Sequence, residues 1–412
     1  MPYAPSPLAK ELKDLEQQSH YVELISVLKA HMTHNKRSFA DPYVKEWVGK
    51  RWRNLFIQEA VQDKHAVKVA TKKLGLGKDK RSVEQKIAER FLKGEQLTEW
   101  AIAMPTAQCT TQLDTSLIFC PGFINGILPA HAFAEEFPQL EKEFGWNIFQ
   151  ADAHPMRGCE ANEADLLAAI LEGKGFQSNP GGASDQFRTP VAPNDVFLMG
   201  YSKGAPDILS TLVHHHDKLD NKVKCVVTWA GAIGGSYMAD NFYELIKNLD
   251  TDLLTGRLHD FLKLLAPGVT RKGSLRRLNE YDIKAGVHSL TTKARADFYT
   301  QYHGLLDDLN IPIINITAAT TALEVPTFQM ADCLNLTRYD GINDMQVTQE
   351  QAKLKIPMAA HAAMLHGHHW DISYPPFPRA MRMTSPNLDH PFPRKAAIVA
   401  IFKLLAELGL IN

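Results

Sequence analysis

The chain has 412 residues, of which 45% are hydrophobic and 22% are charged. This is the balance of a globular protein, and it argues against a disordered or membrane-embedded chain. The net charge is −1, and every apolar run is shorter than the length of about 20 residues that a membrane-spanning helix needs.

The start of the chain lacks the apolar core of a secretory signal, so we expect a cytoplasmic protein without stable membrane insertion. The five cysteines are odd in number and include no CxxC pair, which predicts neither a disulfide framework nor a thiolate zinc site. Basic clusters in the first 100 residues are interleaved with glutamates and accompany no nucleic-acid motif. We therefore expect no nucleic-acid partner, and the sequence leaves the oligomeric state open.

The first part of the chain has a helical pattern. Near its start, apolar residues recur at almost helical spacing at Leu12, Leu15, Val22 and Ile25. The pattern continues until the rhythm changes shortly after residue 100. The sequence therefore predicts a helical N-terminal extension over residues 1–105.

The remainder of the chain alternates short apolar runs with helical stretches. This alternation is typical of an α/β protein, with a mostly parallel sheet and helices on both faces. The predicted strands lie within residues 116–122, 146–153, 195–202, 223–231, 311–317 and 362–367. The Pro-, Gly- and Ser-rich residues 175–195 are predicted to form a surface loop.

The sequence Gly-Tyr-Ser-Lys-Gly at residues 200–204 matches the pattern G-x-S-x-G. It follows an apolar strand and precedes a helical run, which is the context in which this pattern forms a sharp turn that exposes the serine. Glycines flank Ser202 because larger side chains would collide with the neighbouring strand and helix. The pattern predicts that Ser202 is a nucleophile.

A serine hydroxyl needs a base and an orienting acid, which in such a sheet follow in the order acid, then histidine. Asp344 is the preferred acid, with Asp340 and then Asp332 as rivals. His369 is the preferred base, because it follows a predicted strand that ends at a glycine, and His368 is its rival.

The transition state of acyl transfer needs two hydrogen-bond donors for its oxyanion. The amide of Lys203, directly after the nucleophile, supplies one, and the amide of Phe123 after the first strand of the sheet supplies the other. The histidines of residues 361–369 and 214–216 have no recognised metal-ligand spacing. We interpret the second group as an exposed helix end and expect neither a metal nor an organic cofactor.

From about residue 110 to residue 412 the chain resembles an α/β-hydrolase of the lipase and esterase branch. The resemblance is carried by Pro-Gly-Phe at 121–123, GYSKG at 200–204, WAGAIGGS at 229–236, GINDMQV at 341–347 and GHHW at 367–370. It implies an α/β-hydrolase domain over residues 106–412.

The resemblance also implies roles for single residues. Ser202, Asp344 and His369 would form the catalytic triad, and Phe123 and Lys203 would supply the oxyanion amides. The chain departs from common lipase patterns at two positions: Pro121 stands where a histidine often precedes the glycine, and Met345 stands where a small residue often follows the acid.

The stretch of about 75 residues before the fifth predicted strand is longer than a crossover helix requires. We predict a cap insertion over about residues 237–308. Within it the apolar spacing of Phe242, Leu245, Ile246, Leu249, Leu253 and Leu254 fits a lid over the crevice and equally fits packing on the edge of the sheet.

Together these features predict a serine hydrolase that cleaves small-molecule or lipid carboxylic esters through an acyl-enzyme. An acyl thioesterase would use the same residues, and the basic residues 271–277 favour this alternative. A non-catalytic binding protein on the same scaffold is the other alternative.

Overall fold

The structure is a computed structural model that describes residues 6–72, 79–94, 98–111, 113–123, 125, 128–177, 186–250, 280–382 and 385–412. In these residues the α-helices are α1 (Pro7–Gln17), α2 (Tyr21–His34), α3 (Pro42–Gln62), α4 (Lys64–Ala70), α5 (Val83–Phe91), α6 (Glu136–Phe144), α7 (Cys159–Glu172), α8 (Gly204–His214), α9 (His216–Leu219), α10 (Tyr237–Ile246), α11 (Ile283–His288), α12 (Thr292–Asp308), α13 (Met330–Leu336), α14 (Arg379–Arg382) and α15 (Arg394–Glu407). The strands are β1 (Leu92–Lys93), β2 (Thr115–Cys120), β3 (Ile148–Gln150), β4 (Phe176–Gln177), β5 (Gln186–Phe187), β6 (Asp195–Tyr201), β7 (Val223–Trp229), β8 (Ile313–Ala319) and β9 (Ala359–His366).

The strands of the described residues form one sheet in the order β1-β9-β8-β7-β6-β2-β3-β4-β5. The pairs from β9 through to β3 are parallel, and only the short strands at the two edges pair antiparallel. The predicted α/β fold class with a mostly parallel sheet is confirmed. Each of the six apolar runs picked out in the sequence overlaps one of the parallel strands.

Successive residues of the central strands face two different hydrophobic cores, as the two-residue period of a strand requires. In β2, Leu117 and Phe119 pack into the core that contains α3 and α15. Ile118 and Cys120 pack into the opposite core, which contains α7 and α8. Helices therefore cover both faces of the sheet.

The N-terminal helices lie against the sheet and share its larger core. Trp47 and Trp52 of α3 are almost fully buried there. Arg51 is fully buried, and its Nε donates a hydrogen bond of 2.7 Å to the Glu407 carboxylate of α15. The boundary between an N-terminal extension and the rest of the chain at about residue 105 stays a prediction, because the N-terminal helices and the sheet bury their side chains in one shared core.

The sequence interpretation missed the short edge strands. Residues 1–105 are not helical throughout, because β1 pairs antiparallel with β9 through Leu92 and Lys93. The predicted surface loop of residues 175–195 contains β4 and β5, which pair with each other. A strand of two residues has no period to detect, so only tertiary pairing reveals it. None of the described helices is both long and apolar enough to cross a membrane.

Candidate active site

Ser202 lies in the turn between β6 and α8 and has a φ of +53°, in the left-handed region that residues other than glycine rarely adopt. Its amide donates to the Trp229 carbonyl at 3.1 Å, and its carbonyl accepts from Ala205 and Ala232 at 3.2 and 3.1 Å. Hydrogen bonds to β7, to the loop after it and to α8 thus hold Ser202 in a strained backbone conformation, which is common at functional sites.

Three glycines allow this turn to form. A Cβ at Gly200 would lie 2.7 Å from the backbone of Ala205, and a Cβ at Gly204 would lie 2.1 Å from the Cys120 carbonyl oxygen. A Cβ at Gly122 would lie 2.9 Å from Cβ of Ser202. The loop after β2 therefore presses directly against the serine turn.

Asp344 and His369 form a buried pair. Nδ1 of His369 is 2.7 Å from Oδ2 of Asp344, and the side chains are 1% and 2% exposed respectively. The His369 amide also donates to the Asp344 carbonyl oxygen at 2.8 Å. Because a carboxylate only accepts, the proton of the neutral ring is on Nδ1, which leaves Nε2 as the acceptor. Nε2 is buried and has no hydrogen-bond partner among the described residues.

The loop that carries the acid holds the carboxylate in place. Oδ1 of Asp344 accepts hydrogen bonds from the amides of Gln346 at 3.0 Å and Val347 at 2.7 Å. Met345 between them has a φ of +88° and is fully buried. This strained backbone explains in physical terms why a small residue suits the position after the acid, where this chain has a methionine.

The rival residues from the sequence lie elsewhere. Asp340 accepts hydrogen bonds from the amides of Ile342 and Glu350 in its own loop. His368 is buried, and its Nε2 donates to the Asn387 carbonyl oxygen at 2.7 Å. Burial lowers the pKa of its imidazole. Asp332 lies in a cavity wall, as described below. The structure therefore joins Asp344 to His369 and leaves the rivals outside that pair.

Tyr201, which sequence reasoning passed over, connects the serine turn to the histidine. Its hydroxyl donates to the His369 carbonyl oxygen at 2.9 Å, and the two ring centroids are 4.9 Å apart. Since Tyr201 directly precedes Ser202 in the chain, this contact connects His369 to the serine turn. A buried aromatic residue at the second position of the G-x-S-x-G pattern was the available signal.

The side chain of Lys203 forms a buried ion pair. The ammonium is fully buried and lies 2.6 and 2.9 Å from the two carboxylate oxygens of Asp207, one turn further along α8. Asn162 of α7 donates to the same carboxylate at 3.0 Å. Burial opposes the charge of Lys203, but the Asp207 carboxylate outweighs it and raises the pKa of the ammonium. The Lys203 amide lies at the start of α8, where N–H groups have no acceptor within the helix.

A cavity of about 270 Å³ opens beside Ser202. Its wall is mostly apolar and combines the loop after β2, the helices α10 and α11 of the predicted cap, and the loop that carries Asp344, here called the acid loop. The residues in the wall are Phe123, Ser202, Ala232, Ser236, Met238, Ala239, Asn241, Phe242, Leu245, Val287, Leu290, Asp332, Gln346 and Val347.

The described part of the predicted cap faces this cavity. Phe242 and Leu245 line it, and a Cβ at Gly286 of α11 would lie 3.2 Å from the Phe123 ring. Ser236, which caps α10, donates to the Gln346 carbonyl oxygen of the acid loop at 2.6 Å. Leu253, Leu254 and the basic residues 271–277 lie outside the described residues.

The histidines at 214–216 do not form a fully exposed helix end. His214 is hydrogen-bonded through Nδ1 to Glu163 of α7 at 2.6 Å and through Nε2 to the Tyr302 hydroxyl of α12 at 2.7 Å. His215 contacts the same glutamate. Sequence position alone does not show that α7 and α12 flank this end of α8. In the part of the chain that the structure describes, no three His, Cys, Asp or Glu side chains converge as metal ligands.

Comparison with known proteins identifies solved structures that are similar to this one. No family model matches the sequence, and no curated protein matches it. The metagenomic carboxyl esterase MGS0156 has a similar structure, with 18% sequence identity and a TM-score of 0.57 over 87% of this chain and 92% of that one. The mature Bacillus licheniformis lipase BlEst2 has 18% identity and a TM-score of 0.42 over 65% of this chain and 89% of that one. The Staphylococcus hyicus lipase has 13% identity and a TM-score of 0.43 over 65% and 91%. The expected resemblance to lipase- and esterase-like α/β-hydrolases is confirmed at the level of the fold.

Proposed function

We propose that this chain, which has the α/β-hydrolase fold, is a serine hydrolase that cleaves carboxylic esters through an acyl-enzyme. The observation that carries the proposal is the buried pair of Asp344 and His369 at 2.7 Å. The His369 ring packs against Tyr201, the residue before Ser202, and its Nε2 has no hydrogen-bond partner among the described residues. In a Ser-His-Asp triad, a ring held in this way takes the proton of the serine hydroxyl through Nε2 and so makes the serine a nucleophile.

In the first half of the reaction, Oγ of Ser202 attacks the ester carbonyl carbon and its proton passes to Nε2 of His369. The Asp344 carboxylate stabilises the imidazolium that forms. The amides of Lys203 and Phe123 donate to the oxyanion of the tetrahedral intermediate. When the intermediate collapses, the bond to the alcohol oxygen breaks, and the alcohol leaves with the proton from Nε2.

In the second half, water attacks the acyl carbon. Nε2 takes one proton from the water and returns it to Oγ of Ser202 as the carboxylic acid leaves. In enzymes without bound substrate, catalytic hydrogen bonds are often long and tighten when the substrate binds. The strained, glycine-flanked turn keeps the hydroxyl at the edge of the cavity throughout.

The cavity supports an ester with an apolar part. Phe242, Leu245, Val287 and Leu290 give it an apolar wall next to the serine. An acyl chain or an apolar alcohol gains free energy on leaving water for such a wall. The carboxyl esterase activity named for the structurally similar MGS0156 agrees with this substrate class.

Replacing Ser202 tests the proposal. We expect Ser202→Ala to abolish turnover of short p-nitrophenyl esters while its thermal unfolding stays close to that of the wild type. Ser210→Ala is the matched control, because Ser210 lies two turns along α8 and its hydroxyl contacts Glu163, away from the cavity. Equal turnover by Ser202→Ala and the wild type, or no turnover by the wild type, would contradict the proposal; the latter result would favour a binding protein.

A further inference from the structure

Asp332 lies in the wall of the cavity that contains Ser202. It is in the first turn of α13 and is partly buried. Its carboxylate forms no hydrogen bond or ion pair with any residue that the structure describes. The sequence made Asp332 a distant rival for the triad acid, but the structure gives it a different position.

Asp332 is the one ionisable side chain among the described residues of this cavity wall. The polar side chains that share the wall with it are neutral, as in Ser236, Asn241 and Gln346. Burial raises the pKa of the Asp332 carboxyl, and no cationic side chain stands in the described part of the cavity wall. A carboxylate that has lost part of its water and gained no partner is stabilised by any positive charge brought beside it.

We propose that Asp332 is a specificity-determining residue, which makes the cavity prefer esters with a cationic group in the part that occupies it and disfavour esters with a carboxylate there. The inference rests on the proposed ester hydrolysis and names its substrate class. A quaternary ammonium fits best, because it places positive charge beside Asp332 while its methyl groups contact apolar residues such as Phe242 and Leu245.

The size of the preference follows from the partial exposure of the carboxylate. Exposed ion pairs change an equilibrium by a factor of about 1.4 to 5, and a less hydrated pair changes it by more. We expect a preference of about three- to tenfold in kcat/KM for the cationic ester over a neutral ester of the same shape. It should shrink at high salt, because the Debye length falls from about 30 Å at 0.01 M to about 3 Å at 1 M ionic strength.

Two isosteric substrate pairs test the inference, one with the charge in the acyl part and one with the charge in the alcohol. The first compares the p-nitrophenyl esters of 4-(trimethylammonio)butyrate and 5,5-dimethylhexanoate, and the second compares choline butyrate with 3,3-dimethylbutyl butyrate. The p-nitrophenyl monoester of glutarate adds a negative charge. The ratio of kcat/KM within each pair is measured at pH 8 for the wild type and for Asp332→Asn. Asp297→Asn is the control, since it removes the same charge from the exposed face of α12.

We expect at least one pair to show the three- to tenfold preference in the wild type and in Asp297→Asn, and a ratio close to one in Asp332→Asn. The glutarate monoester should improve relative to the neutral ester in Asp332→Asn. Equal ratios in the wild type and Asp332→Asn, with turnover that still depends on Ser202, would overturn this inference alone. Turnover that survives Ser202→Ala, or no turnover of any of these esters, would overturn the proposed function and this inference with it.

Discussion

Replacing Gly122 by alanine tests whether the loop after β2 positions the nucleophile. The new Cβ would lie 2.9 Å from Cβ of Ser202 and 3.0 Å from the Tyr201 ring. The ring of Tyr201 is held by its contacts with His369, so the loop and the serine have to separate. Restoring ordinary contact requires a shift of roughly 0.5–1 Å between them, since carbon atoms pack at about 3.5–4.0 Å.

A shift of this size moves Oγ of Ser202 relative to Nε2 of His369 and to the oxyanion amides. Because a misplacement of 1 Å costs up to about 10²-fold in rate, we expect Gly122→Ala to lower kcat by about 10- to 100-fold, or about 1.4–2.7 kcal/mol. The crowding itself costs about 1–3 kcal/mol of stability, so the protein should remain folded at room temperature.

The assay is the steady-state hydrolysis of p-nitrophenyl butyrate, measured with the thermal unfolding of the same samples. Gly304→Ala on α12 is the matched control, because nothing lies within 4 Å of the Cβ it adds. It should keep the wild-type kcat and gain stability from the better helix former. If Gly122→Ala kept kcat within twofold of the wild type, the reasoning that this loop fixes the position of the serine would be refuted.

Three further predictions concern the acid, the buried ion pair and the response to pH. Asp344→Asn should lower kcat by about 10³- to 10⁴-fold, because an amide no longer fixes the Nδ1 proton; a loss below tenfold in the p-nitrophenyl assay would contradict this. Asp207→Asn leaves the Lys203 charge buried and unpaired, so urea unfolding should show a free energy of unfolding about 3–5 kcal/mol below that of the wild type. An unchanged free energy of unfolding in Asp207→Asn would contradict this prediction. Burial lowers the pKa of His368 and His390 in the folded protein. Their neutral rings therefore contribute their whole stabilisation of the fold above about pH 6.5, the pKa in the unfolded chain, and this contribution is lost as the pH falls towards the folded-state pKa. The free energy of unfolding should fall by up to about 1.4 kcal/mol per pH unit for each ring, and a flat profile from pH 7 to 5 would count against it.

The parallel sheet and the serine turn could be predicted because each has a strong local signal. Buried strands read as continuous apolar runs, and the turn around Ser202 needs glycines at fixed positions for steric reasons that the structure makes explicit at Gly200 and Gly204. The choice of Asp344 and His369 over their neighbours rested on chain order and loop position. The structure places these two side chains in hydrogen-bond contact, and their catalytic roles belong to the proposed function.

The missed features depend on contacts between distant parts of the chain. β1 is a strand only because β9 lies beside it. The buried charge of Lys203 requires Asp207 one turn away and Asn162 from another helix, whereas the sequence shows only a lysine in a turn. The place of Asp332 in the cavity wall follows from the packing of α13, which no periodicity in a seven-residue helix could reveal.

The central claim is that His369 activates Ser202 as a nucleophile, and the rate of covalent labelling by a fluorophosphonate measures this most directly. Mass spectrometry of the digested protein should find one phosphonyl adduct, on the peptide that contains Ser202. His369→Ala should form it at least about 10³-fold more slowly, because the proton of the hydroxyl then has no acceptor. An adduct on another residue, or equal labelling rates for the wild type and His369→Ala, would contradict the account.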